Sequence, residues 1–105
     1  MKILFAAALG FLAAASAASA DDETRRGEAL VSRQCVSCHA VGRVGASTHA
    51  QAPPFRSLSA KYPIDALQEA LGEGLVSGHP DMPEFKFSGP DVGAIIAYLK
   101  SIQVR

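Results

Sequence analysis

Val92, Ile95, Ile96, Leu99 and Ile102 recur at the three- and four-residue spacing of one helix face. The C-terminal segment therefore predicts an amphipathic helix. Just ahead of it, Ser88-Gly89-Pro90-Asp91 has the spacing of a capping box, with Asp where Glu or Gln is commoner. A second helical pattern runs from Pro63 to about Leu71, with Pro in its first turn and Ile64, Leu67, Ala70 and Leu71 apolar. A third covers about Thr24 to Gln34, where Ala29, Leu30 and Val31 are apolar and acidic residues stand at the start. Between these patterns the chain is irregular. Ala40 to Tyr62 carries Gly42, Gly45, Ser47, the Pro53-Pro54 pair and Ser57, and so long a loop in a small domain usually wraps something. Gly72, Gly74 and Gly78 close the middle helix and open a second loop running to Phe87. No alternating run is long enough for a strand, and there are no internal repeats. The expected architecture is all-α, with three main helices and long loops.

The N-terminal residues stand apart. Lys2 precedes an apolar run from Ile3 to Ala15, and Ala18-Ser19-Ala20 gives the small-residue pattern of a cleavage site before Asp21-Asp22-Glu23. This is the pattern of an export signal, so residues 1–20 are expected to be a cleaved signal peptide and residues 21–105 a single domain. The rival is an uncleaved anchor, since Ile3 to Ala20 could almost cross a bilayer of roughly 30 Å. Its Ala and Ser content makes it weakly hydrophobic for that. No cysteine lies near the cleavage site to take a lipid.

Charge narrows the partners only a little. Without Lys2 there are nine Lys and Arg against ten Asp and Glu, and no basic tract points to nucleic acid. Size says more. A domain this small buries only about 60% of its unfolded surface and often needs a staple or cofactor. Two cysteines allow at most one disulfide, whereas a large buried apolar cofactor would meet the need.

Both cysteines fall in Cys35-Val36-Ser37-Cys38-His39. Three chemistries compete for such a cluster: a redox disulfide, part of a zinc site, or covalent attachment of haem with His39 on the iron. Structural zinc takes four ligands, commonly from two such pairs, and His49 and His79 do not form a second pair at ligand spacing. A thioredoxin-like disulfide belongs to a βαβ setting, which the pattern lacks. Haem attachment fits best, with each thiol added to one vinyl group and the adjacent imidazole carried to the iron. The sixth iron position then needs a ligand. Met82 is the only methionine beyond the leader, and it lies in Gly78-His79-Pro80-Asp81-Met82-Pro83. A lone Met is commonly adaptable core filler. In a Gly/Pro-rich loop, followed by Pro, it is better explained as an axial thioether, and His/Met pairs raise the reduction potential.

Together these features resemble a small bacterial class I c-type cytochrome over the whole region after the leader. Gly27 resembles the glycine at which the first and last helices cross closely, and Ile95, Tyr98 and Leu99 resemble the last-helix residues packed there. Gly78-His79-x-x-Met82-Pro83 resembles the methionine loop of many bacterial members. The family has a proline after the haem motif whose carbonyl accepts a hydrogen bond from Nδ1–H of the ligand histidine. Ala52-Pro53-Pro54-Phe55 offers Pro53 for this task, with Pro54 as the alternative. Such a bond would fix the tautomer and orientation of the imidazole.

The resemblance implies the cytochrome c fold around one covalent haem c, held by Cys35 and Cys38 and ligated by His39 and Met82. It implies a periplasmic carrier of one electron, not an enzyme, since maturation of such proteins takes place outside the bacterial inner membrane. The expected partners are redox proteins: a donor dehydrogenase or reductase, and an oxidase, another cytochrome or other acceptor. These would be met as a monomer through a small, transient interface, with no stable membrane insertion once the leader is removed. The lysine-rich face of mitochondrial members is absent, so partner choice is not carried over. Two alternatives stay open: a haem subunit dedicated to one enzyme, and a ligand-binding haem protein with an open sixth site, which Met82 disfavours. His49 is expected to be solvated, and His79 either to contact a propionate or to be solvated. Arg56, Lys61 and Tyr62 are candidate propionate donors or plain surface residues, and Phe55, Phe85, Phe87 and Leu67 are candidate pocket or core wall.

Overall fold

The computed structural model describes residues 9–75 and 78–104, with side chains from residue 19 onward. Lys2 and the apolar run from Ile3 to Ala8 lie outside the described residues. Three α-helices order the fold: α1 (Leu9–Gln34), α2 (Leu67–Glu73) and α3 (Gly89–Ile102). Among the described residues there is no strand, only an isolated antiparallel bridge between Leu75 and Phe85. No helix there is long and apolar enough to cross a membrane.

The stripe on α3 sets the core. Val92, Ile95, Ile96, Leu99 and Ile102 are all buried, together with Ala94 and Tyr98. Ser88 caps the helix, its side chain accepting from the Asp91 amide at 3.4 Å, and Pro90 stands in the first turn, where no donor is lost. Against this stripe α1 lays Gly27, Leu30 and Val31, all buried. The crossing is tight at Gly27, where a Cβ would fall 1.9 Å from the Ala94 carbonyl oxygen and 2.9 Å from Tyr98 Cβ. Only a residue without a side chain lets the two backbones approach so closely.

Several elements depart from the expected boundaries. Helix α1 begins at Leu9 instead of about Thr24, because the Ala-rich leader is a strong helix former with no breaker between Ala20 and Thr24. The segment after Pro54, expected to be structureless, forms a 3₁₀ helix over Phe55–Ala60. The middle helix starts as a 3₁₀ turn over Ile64–Ala66 with Pro63 outside it as the cap. It continues through Gly72 to Glu73 and ends on Gly74, whose φ of 125° suits glycine. The second loop is not wholly irregular either, since the Leu75 amide donates to the Phe85 carbonyl at 2.8 Å and the Phe87 amide to Leu71 at 2.8 Å.

The C-terminal end fastens the first loop to α3. The Gln103 side-chain amide donates to the Phe55 carbonyl at 2.7 Å, and its oxygen accepts from the Ser59 amide at 2.8 Å. Tyr98 Oη donates to the Val41 carbonyl at 2.6 Å. These bonds hold residues 41–59 against the helix pair and leave an apolar cavity beneath them.

Candidate haem site

The Cys-x-x-Cys-His segment is a turn laid directly on the end of α1. The Cys35 amide continues the helix by donating to Val31 at 2.9 Å, and the Cys38 and His39 amides both donate to the Cys35 carbonyl, at 3.3 and 3.0 Å. The turn brings Cys35, Cys38 and His39 to one cavity. The two thiols are not bonded to each other. Burial pushes the Cys35 thiol up to about 11, so without a bound metal it stays a neutral thiol at neutral pH.

The loop that follows is laced back onto this turn. Thr48 Oγ1 donates to the Ser37 carbonyl at 2.6 Å, the His49 amide to Cys38 at 3.0 Å, and the Phe55 amide to Ala40 at 2.9 Å. That lacing carries Pro53 to His39, whose Nδ1 lies 2.8 Å from the Pro53 carbonyl oxygen. A carbonyl only accepts, so the ring proton sits on Nδ1 and the Nε2 lone pair is left for a ligand. Phe55 braces the same ring, with centroids 4.7 Å apart. Pro53, not Pro54, makes the bond.

Two adjoining cavities meet at these residues. One, of about 240 Å³, is lined by Cys35, Cys38, His39, Pro53 and Met82 together. The other, of about 290 Å³, shares Cys35, His39, Pro53 and Met82 and is walled by Val31, Leu58, Leu71, Ile95 and Leu99. Taken together they fall within the roughly 300–1,000 Å³ of ordinary cofactor sites. Met82 is half-buried, on a turn in which its amide donates to the His79 carbonyl at 3.2 Å. An apolar chamber, two unpaired thiols, an imidazole with Nε2 free and a thioether make a donor set that fits a covalently held haem.

Other candidates sort themselves by position. Phe55 and Leu67 line the larger cavity and Phe85 the smaller, whereas Phe87 packs against the core. Tyr62 lines the larger cavity, and burial raises its phenol pKa. Lys61 is exposed, and Arg56 donates to the Gly45 carbonyl at 2.7 Å; neither lines either cavity. His49, expected in solvent, is instead half-buried and bonded to Asp81 at 3.2 Å. His79 faces Gln51. Spacing gave no sign of this second cluster, because its partners come from two loops that only folding brings together.

Comparison with known proteins agrees with this site. The family model described as cytochrome C oxidase, cbb3-type, subunit III matches residues 22–99. The chain is 35% identical over 92 residues to Cytochrome c-552 of Bradyrhizobium diazoefficiens, covering 88% of this chain and 86% of that protein. No solved structure matches it. The chain belongs to the cytochrome c family. As a small c-type cytochrome it carries covalently bound haem c and works as an electron carrier, not an enzyme.

Proposed function

We propose that Cys35 and Cys38 hold the haem through two thioethers, that His39 Nε2 and Met82 sulfur are its axial ligands, and that Pro53 orients the histidine. The protein then serves as a periplasmic one-electron carrier, released by cleavage after Ala20, between a donor dehydrogenase or reductase and an oxidase or other acceptor. The observation that carries this reading is the 2.8 Å contact between His39 Nδ1 and the Pro53 carbonyl, beside a cavity that Met82 shares. The haem iron supplies the ferric/ferrous couple. The chain's own contribution is to hold both ligands through the redox change and to keep water away. The Pro53 carbonyl keeps the imidazole in one tautomer and adds to its basicity. The apolar walls lower the local dielectric, and the neutral thioether favours the ferrous state. Acid-acetone treatment of the purified protein tests the attachment. Colour retained on the protein, at a mass beginning at Asp21, is expected, and haem in the acetone layer would contradict it.

A second reading is favoured by the description of the matching family model as a subunit of a cbb3-type oxidase. Under it the chain is a haem subunit held by one enzyme complex. Gentle extraction followed by size-exclusion separates the two: a carrier elutes at its own size, a dedicated subunit with its partner.

A further inference from the structure

His49, His79 and Asp81 bring two imidazoles and a carboxylate to the rim of the smaller cavity, and electron transfer gives this cluster no task. His49 comes from the loop behind the Cys-x-x-Cys-His turn, His79 and Asp81 from the methionine loop. One donor atom from each lies within 4.8 Å of the other two. The rings stand edge to face with centroids 5.3 Å apart. Each Nδ1 accepts a backbone amide two residues on: Gln51 to His49 at 3.1 Å, and Asp81 to His79 at 3.2 Å. These local bonds turn both Nε2 atoms inward, that of His49 to the Asp81 carboxylate and that of His79 to the Gln51 side-chain oxygen. Asp81 is largely exposed, so the cluster is open to ions from solvent.

We propose that His49, His79 and Asp81 bind one divalent late first-row ion, Zn²⁺ or Cu²⁺, with Gln51 Oε1 or water as a fourth ligand. Two imidazoles and one carboxylate suit these ions, whereas Mg²⁺ and Ca²⁺ prefer all-oxygen shells. Three protein donors with a place left over is the count of an open zinc site. Coordination through Nε2 places the ring proton on Nδ1, so each ring turns away from the backbone amide it now accepts from, and the His49–Asp81 and His79–Gln51 bonds are given up as well. Its effect is to staple the methionine loop to the loop that carries Pro53, joining the segment that holds Met82 to the one whose Pro53 carbonyl orients His39.

Calorimetric titration of the haem-loaded, chelator-treated protein with ZnCl₂ tests this, because haem attachment removes the Cys35 and Cys38 thiols as competing sites. One Zn²⁺ per chain is expected. His49→Gln and His79→Gln should each weaken it by more than the roughly 10–100-fold that loss of a ligand's outer partner produces. Cu²⁺ bound at the site should show hyperfine coupling to two nitrogens by electron paramagnetic resonance. An unchanged haem spectrum in each variant establishes that it is folded. Absence of one-to-one uptake, or uptake unaltered in the His49→Gln/His79→Gln double variant, overturns the proposal and leaves a metal-free hydrogen-bonded clasp; neither result touches the haem assignment.

Discussion

Gly27 rests directly on the Ala94 carbonyl, leaving only 1.9 Å between that oxygen and any Cβ placed at position 27. Its nearest neighbours, the Ala94 carbonyl and Tyr98 Cβ, are rigid parts of α3, so there is no flexible side-chain tip to move aside. Gly27→Ala must therefore push α1 away from the core stripe, and overpacking of this kind costs about 1–3 kcal/mol or more. The midpoint of guanidinium unfolding, followed by helix circular dichroism, should fall accordingly. A midpoint equal to wild type would mean that the helices do not cross here.

The core is built around the larger cavity, the proposed haem chamber, since Val31, Leu58, Leu71, Ile95 and Leu99 belong to both. Without the cofactor these apolar walls line a cavity of about 290 Å³ that must admit water or collapse, and a domain is stabilised by only roughly 5–15 kcal/mol in all. A Cys35→Ala/Cys38→Ala variant should show little helix by circular dichroism and no cooperative melting. A sharp haem-free transition would show that the polypeptide core suffices.

Tyr98 ties α3 to the loop behind His39 through its 2.6 Å bond to Val41. Tyr98→Phe leaves that carbonyl without its donor and should cost about 1 kcal/mol. Burial first, then the Glu28 carboxylate, raises the Tyr98 phenol pKa, against a smaller opposing effect of Arg43. A raised folded pKa favours the protonated native state, so its contribution is complete below the unfolded value of about 10. It is lost as pH climbs through the folded value, because the unfolded chain then releases its proton first. Wild type should thus lose stability above about pH 10 more steeply than Tyr98→Phe, as read from thermal midpoints across that range.

How much of this was legible beforehand depended on how local each signal is. The α3 stripe and its Ser88 cap are local, and every apolar position of the stripe is buried. Gly27 was legible only through family resemblance, since nothing in its neighbours announces a helix crossing. The 3₁₀ helix at Phe55–Ala60 is too short to show a period, and the Leu75–Phe85 bridge pairs residues across a loop. Helix α1 runs back past the expected start near Thr24 to Leu9, because no Gly or Pro separates the Ala-rich leader from it between Ala20 and Thr24. Cys35, Cys38, His39 and Met82 were singled out from motif and loop composition and Pro53 through the family resemblance, and all five line one cavity. His49 was misread because its pairing with Asp81 spans 32 residues, beyond any spacing rule.

The central claim is that Met82 sulfur closes the iron site opposite His39, and the absorption spectrum of Met82→Ala tests it most directly. Ferric wild type should show the weak long-wavelength band of iron–thioether bonding, and its ferrous form should bind carbon monoxide slowly. Met82→Ala should lose the band, bind carbon monoxide readily and fall in reduction potential, since a donor favouring ferrous iron is gone. Absence of the band in wild type, with a spectrum altered by His79→Ala and not by Met82→Ala, would contradict the account. The haem would then be a bis-histidine centre of lower potential.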